Sequence, residues 1–132
     1  MQRAIKPTPT ITSPVEPEPP EMHIFRLDEM ETAERYALAE SVGTEYCRAV
    51  MRFVDAESDE SAIAFANAER MLLRFKGTQA HHFRRDSLAW VVVRCAEATR
   101  VLYATGQGRE ELTRAHGELM RRFGSAERSD ER

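Results

Sequence analysis

Apolar residues recur at intervals of three and four along most of this chain. Tyr36, Ala39, Val42, Gly43, Tyr46, Cys47, Val50, Phe53 and Val54 share one helical face, and Glu34, Ser41, Glu45, Arg48 and Arg52 lie opposite. The pattern predicts a first helix over residues 27–56, whose opening acids Asp28, Glu29 and Glu31 suit the positive end of the helix dipole. A second stripe, Ala64, Phe65, Ala68, Met71, Leu72 and Phe75, predicts a helix over 59–76, with Ser58 or Ser61 as its N-cap. A narrower stripe, Leu112, Ala115, His116, Leu119 and Phe123, predicts another over 109–123.

Between these lies the longest apolar run, residues 88–93. Rich in valine, it has the composition of a buried strand. Its helical period nevertheless continues past Glu97 to Leu102, and no second strand exists to pair with it, so a helix over 78–105 is predicted. That helix is apolar on two sides. One face carries His81, Leu88, Val91, Val92, Cys95, Thr99 and Leu102; the other carries Phe83, Trp90, Val101 and Ala104. Such a helix is either central in its bundle or half of an interface. Short connections favour antiparallel neighbours, so the expected fold is all-α, an antiparallel four-helix bundle. Gly77, Gly106, Gly108 and Gly124 stand where periodicity stops and suit caps and turns, whereas Gly43 and Gly117 lie inside helical patterns and suggest close helix contact.

Composition sharpens the boundaries. All six prolines, Pro7, Pro9, Pro14, Pro17, Pro19 and Pro20, precede residue 21. Proline breaks helix interiors, so residues 1–22 read as a disordered or polyproline-like tail, 23–124 as the helical domain and 125–132 as a disordered polar tail. A chain of 132 residues can bury a core as one domain without disulfides or metals. No stretch approaches the roughly 20 apolar residues of a membrane span, and no apolar core of a secretory signal follows Arg3 and Lys6. A cytoplasmic protein without a membrane partner, its two cysteines reduced, is therefore expected. Arginine outnumbers lysine by 17 to 2, a bias that GC-rich bacterial coding DNA produces.

Charge is uneven. Residues 1–60 hold six Arg and Lys against thirteen Asp and Glu, whereas residues 61–132 hold thirteen against nine. The net charge of −3 argues against a broadly basic nucleic-acid binder but leaves a locally basic one open. The basic corner between the second and third helices offers Gln79, His82, Arg84 and Arg85 for base edges, with Arg70, Arg74 and Lys76 for phosphates, if it forms a helix-turn-helix.

Two further constellations compete with that reading. Phe83, Trp90, Val93 and Val101 would make an aromatic-rich patch for a protein partner or for self-association. His81 and His116 would meet at one end of an antiparallel bundle, where a ligand or metal could bind beside Tyr36, Glu40 and Arg85. Position 113 is threonine, however, so the Glu-x-x-His of di-iron bundles is missing. The acids of the first helix, Asp28, Glu31 and Glu34, lack a facing carboxylate pair, and Cys47 and Cys95 both sit on core faces. With no Gly-rich phosphate loop and no nucleophile–base order, neither an enzyme nor a cofactor is expected. The residues favour a helical interaction or regulatory module acting through protein contacts. A nucleic-acid-binding regulator and a metal- or ligand-binding bundle are the alternatives.

Overall fold

A computed structural model describes residues 23–130, with side-chain surroundings through residue 127. Four helices, α1 (Thr32–Asp55), α2 (Asp59–Leu72), α3 (Leu88–Thr105) and α4 (Arg109–Asp130), form an all-α four-helix bundle. No strand occurs among the described residues. No helix among them is long and apolar enough to cross a membrane.

Local chemistry decides where each helix begins. At α1, Glu31 and Glu34 form a reciprocal capping box, so the helix starts at Thr32 rather than at residue 27. Leu27–Glu29 is a separate 3₁₀ turn, and Arg35 Nε donates to the carbonyls of Leu27 (2.8 Å) and Met30 (3.2 Å) that the break exposes. Ser58 and Ser61 make a second capping box at α2, and the Ser61 hydroxyl also donates to Ala56 O, closing the α1–α2 turn. At α3 the cap is Ser87, whose Oγ accepts from Trp90 N and donates to Arg84 O. Its far end turns at Gly106, with φ +74°, as the cessation of the apolar period predicts.

Three expectations are corrected here. The second helix stops at Leu72, because Phe75 turns into the core and Arg74 turns to the chain's N-terminal stretch. The third begins ten residues later than the pattern suggested, because residues 78–87 are held as a loop with one 3₁₀ turn at Gln79–His82. The fourth does not stop at residue 123 but runs past Gly124 to Asp130, and Glu127 reaches Arg48 of α1 at 3.1 Å. The expected proline-rich tail, residues 1–22, lies outside the described residues.

The helices pair as two antiparallel hairpins, α1 with α2 and α3 with α4. Arg122, in the later part of α4, donates to Asp86 O just before α3, as antiparallel pairing requires, and Arg94, toward the middle of α3, reaches Glu111 on the first turn of α4. The hairpins meet where Gly43 of α1 lies against Val92 of α3, so closely that a Cβ at 43 would overlap the Val92 γ-methyl. The close contact expected at Gly43 is therefore present. Gly117 has nothing within 4 Å of a built Cβ and makes no such contact. Val91, Val92, Val93, Cys47, Cys95, Leu72, Phe75 and Leu119 fill the interior. α3 is the central helix: it touches α1, α4, the Gln79–His82 turn and, through its C-terminal half, α2. There Arg100 donates to Phe75 O, and Tyr103 Oη donates to Glu69.

Candidate interaction site

The loop between α2 and α3 is tied down from below. Gln79, 8% exposed, accepts from Lys76 N and donates to Phe25 O, both at 2.5 Å, joining two distant parts of the chain. Phe25 packs on Phe75 with ring centroids 4.7 Å apart, and the Arg74 guanidinium covers Phe25 at 4.4 Å while its Nε donates to His23 O. Phe83 plugs the next part of the loop into the core, edge-on to Tyr36 at 5.0 Å. The Tyr36 hydroxyl accepts from Arg84 N at 2.7 Å. These anchors explain how a non-helical segment holds one shape.

Above them lies a hollow of about 600 Å³ lined by Ala80, His81, Phe83, Arg85, Trp90 and Arg94. Trp90, half-buried on the first turn of α3, has the Arg85 guanidinium 5.7 Å and the Arg94 guanidinium 5.6 Å from its ring centroid. Both lie in cation–π range. Arg94 is also shared with Glu97 (3.3 Å) and Glu111 (3.1 Å), and burial pushes the Glu97 carboxyl above its usual pKa. Arg85 meets no carboxylate among the described residues. One wall of the hollow is thus aromatic, and one of its cations has no carboxylate partner among the described residues.

The sequence-predicted patch of Phe83, Trp90, Val93 and Val101 divides. Phe83 is buried and lies on the loop, not on α3; Val93 is completely buried inside the bundle. Neither faces outward: Phe83 packs under the loop against Tyr36, and Val93 points into the bundle. Trp90 stays accessible, and Val101, 49% exposed, lies eleven positions along the helix, about 16 Å away.

The basic corner changes in the same way. Without a helix over 78–87, no recognition helix follows the turn, and the helix-turn-helix expectation is overturned by the loop's own anchors. Gln79 is occupied inside the loop, Lys76 supplies its amide to Gln79, and Arg74 covers Phe25. His82 Nδ1 lies 3.3 Å from Gln79 O, and Arg84 lies 3.8 Å from Asp86. Arg70, on α2, contacts Asn67.

The two histidines have separate surroundings. His81 bonds to Thr78 O through Nδ1 and packs on His82 at 4.2 Å, whereas His116 stands edge-on to Tyr46 at 5.8 Å. Burial lowers the His116 pKa. Among the described residues, no group of three or more His, Cys, Asp or Glu is placed to hold a metal. Cys47 and Cys95 are fully buried free thiols near one another; burial pushes their pKa values up to about 12 and about 11. Such thiols are poor nucleophiles and poor ligands.

Members of three separate sequence constellations therefore converge on one hollow: Phe83 and Trp90, Arg85, and His81. Arg94 is the residue that the sequence reading missed. It stands four positions after Trp90, the spacing at which helical side chains meet, and that signal was available. Comparison with family models, with curated proteins and with solved structures finds no match to this chain.

Proposed function

We propose that this protein is a small helical interaction module that binds a segment of a protein partner in the hollow around Trp90 and catalyses no reaction. The observation that supports it is Trp90 itself, half-buried between two guanidinium groups above a floor made by Phe83. Tryptophan and arginine dominate the energetics of protein interfaces, because a rigid ring buries a large area at small entropic cost. The loop carrying the hollow is fixed by partly buried hydrogen bonds before any partner arrives, which reduces the cost of binding. A cytoplasmic setting suits the two thiols, which stay reduced there.

The test is affinity capture with the 132-residue chain, comparing the wild type with Trp90→Ala and Arg85→Ala. The expected result is a protein retained by the wild type, lost by both variants, and bound again when purified. Retention by Trp90→Ala would overturn the reading. So would a specific ligand that proves to be duplex DNA with steeply salt-dependent affinity, the behaviour of a phosphate-contacting regulator. Light scattering on the purified chain determines whether the partner is a second copy.

A further inference from the structure

We propose that the outer face of α2 is a self-docking surface, on which α2 of a second copy packs antiparallel. None of the described residues lining the Trp90 hollow belongs to α2, so this surface is separate from the function proposed above.

Helix α2 turns Ser61, Phe65, Ala68 and Leu72 towards the bundle and leaves Asp59, Ile63, Ala66 and Arg70 exposed on the opposite side. Ile63 is 61% exposed. The exposed side of α1 carries Glu45, Arg48 and Arg52, and that of α4 carries Arg114 and Arg121. In α2, by contrast, no charged residue occurs from position 61 to position 68. The middle of its outer face is thus isoleucine among alanines, and covering it desolvates no charge.

Asp59, Ile63, Ala66 and Arg70 are four, three and four residues apart, the spacing of a coiled-coil seam. The seam is symmetric about the point between residues 64 and 65. Turned end for end, it therefore meets itself. Ile63 falls opposite Ala66 of the second copy, and Asp59 falls opposite Arg70 of the second copy. A two-fold axis makes each pairing twice. Isoleucine supplies a knob, and alanine leaves the hole that receives it.

Charge selects the same orientation. Residues 53–69 hold five Asp and Glu and no Lys or Arg, whereas residues 70–85 hold five Lys and Arg and no Asp or Glu. Antiparallel packing of α2 sets an acidic end against a basic end twice; parallel packing sets like against like. A guanidinium has five N–H donors and takes several partners at once, so a carboxylate across the seam is compatible with the contact between Arg70 and Asn67. The surface is small. α2 has 14 residues, about 21 Å of helix, and one helix pair of that length belongs with the weak, reversible interfaces.

Sedimentation velocity of the 132-residue chain, from about 10 μM to about 1 mM, tests the proposal. The wild type is expected to pass from monomer to dimer over that range. Asp59→Arg alone and Arg70→Asp alone should each stay monomeric, because each sets like charges together twice. Mixed in equal amounts, the two variants should dimerise again, since every Arg then faces an Asp. Ile63→Gln, which changes no charge, should weaken the dimer about tenfold or more. All of these positions are exposed, so circular dichroism should show wild-type helix content. A wild type that stays monomeric throughout would overturn the proposal. So would a dimer formed by either charge variant alone, or a mixture of the two that stays monomeric. Trp90→Ala should dimerise as the wild type does, and its failure to do so would move the self-contact to the hollow and overturn the proposal as well. The two readings thus fail separately: loss of a captured partner in Trp90→Ala concerns the hollow, and loss of the dimer in Ile63→Gln concerns α2.

Discussion

Replacing Gly43 by Ala should destabilise this protein, although alanine is the better helix former. Gly43 lies inside α1, where Gly→Ala ordinarily gains about 1 kcal/mol of helix propensity. The added methyl would overlap a Val92 γ-methyl, with the Val92 Cβ and the second γ-methyl at 3.5 and 3.6 Å. Val92 is completely buried, and its β-branched side chain is stiff about χ1, so relief requires α1 and α3 to move apart. Overpacking of that kind costs about 1–3 kcal/mol, which outweighs the propensity gain and leaves a net loss of about 1 kcal/mol. Gly117→Ala is the control: it is also helical, but nothing lies within 4 Å of its built Cβ, and a gain of about 0.5–1 kcal/mol is expected.

Urea unfolding followed by far-ultraviolet circular dichroism reads both variants. Adding Val92→Ala separates the overlap from the propensity gain. Alone, that change removes two buried methyl groups and should cost about 2–3 kcal/mol. In its presence Gly43→Ala should stabilise, because the new methyl occupies vacated space, so the two changes couple by at least about 1 kcal/mol. A Gly43→Ala variant as stable as the wild type would refute the reasoning. Equal effects of Gly43→Ala in both backgrounds would refute it as well.

The other anchors make predictions of the same kind. Gln79→Ala removes two partly buried hydrogen bonds, one within the loop and one to the N-terminal stretch, and a loss of about 1–3 kcal/mol in urea unfolding is expected, with faster amide exchange over residues 73–87. Cys47 and Cys95, with thiol pKa values pushed up to about 12 and about 11, should resist Ellman's reagent in the native protein at mildly alkaline pH and react fully in denaturant. Because burial holds His116 below its ordinary pKa, the unfolded chain takes up a proton there before the folded one. Its contribution is present above the unfolded value of 6.5 and is lost as pH falls through the lower folded value. His116→Phe, which keeps a ring against Tyr46, should remove that part of the acid destabilisation in a pH series of unfolding curves.

The fold class was legible because helical periodicity is a property of sequence alone. All four helices stand where apolar stripes recur, and the two serine caps, Ser58 and Ser87, directly precede α2 and the apolar run of α3. What misled was the loop. His81, Phe83 and Trp90 fall at spacings compatible with one helix, yet residues 78–87 take their shape from Gln79 bonding Phe25, 54 positions away, and from Tyr36 reaching Arg84. Contacts at that separation leave no local trace. The expected interface divides for a related reason: Val93 stands three positions after Trp90, yet the packing of α1 and α4 on α3 turns it into the interior while Trp90 stays at the surface. Trp90 survived as a candidate because Arg85 and Arg94 keep its ring at the surface.

The account's central claim is that binding occurs at the Trp90 hollow. Photo-crosslinking tests it most directly, with benzoyl-phenylalanine placed in the 132-residue chain at His81 on the rim or, as control, at Glu110 on the exposed start of α4. The account predicts adducts from position 81, abolished by Arg85→Ala, and none from position 110. Adducts of equal yield from both positions, or from position 110 alone, would contradict it.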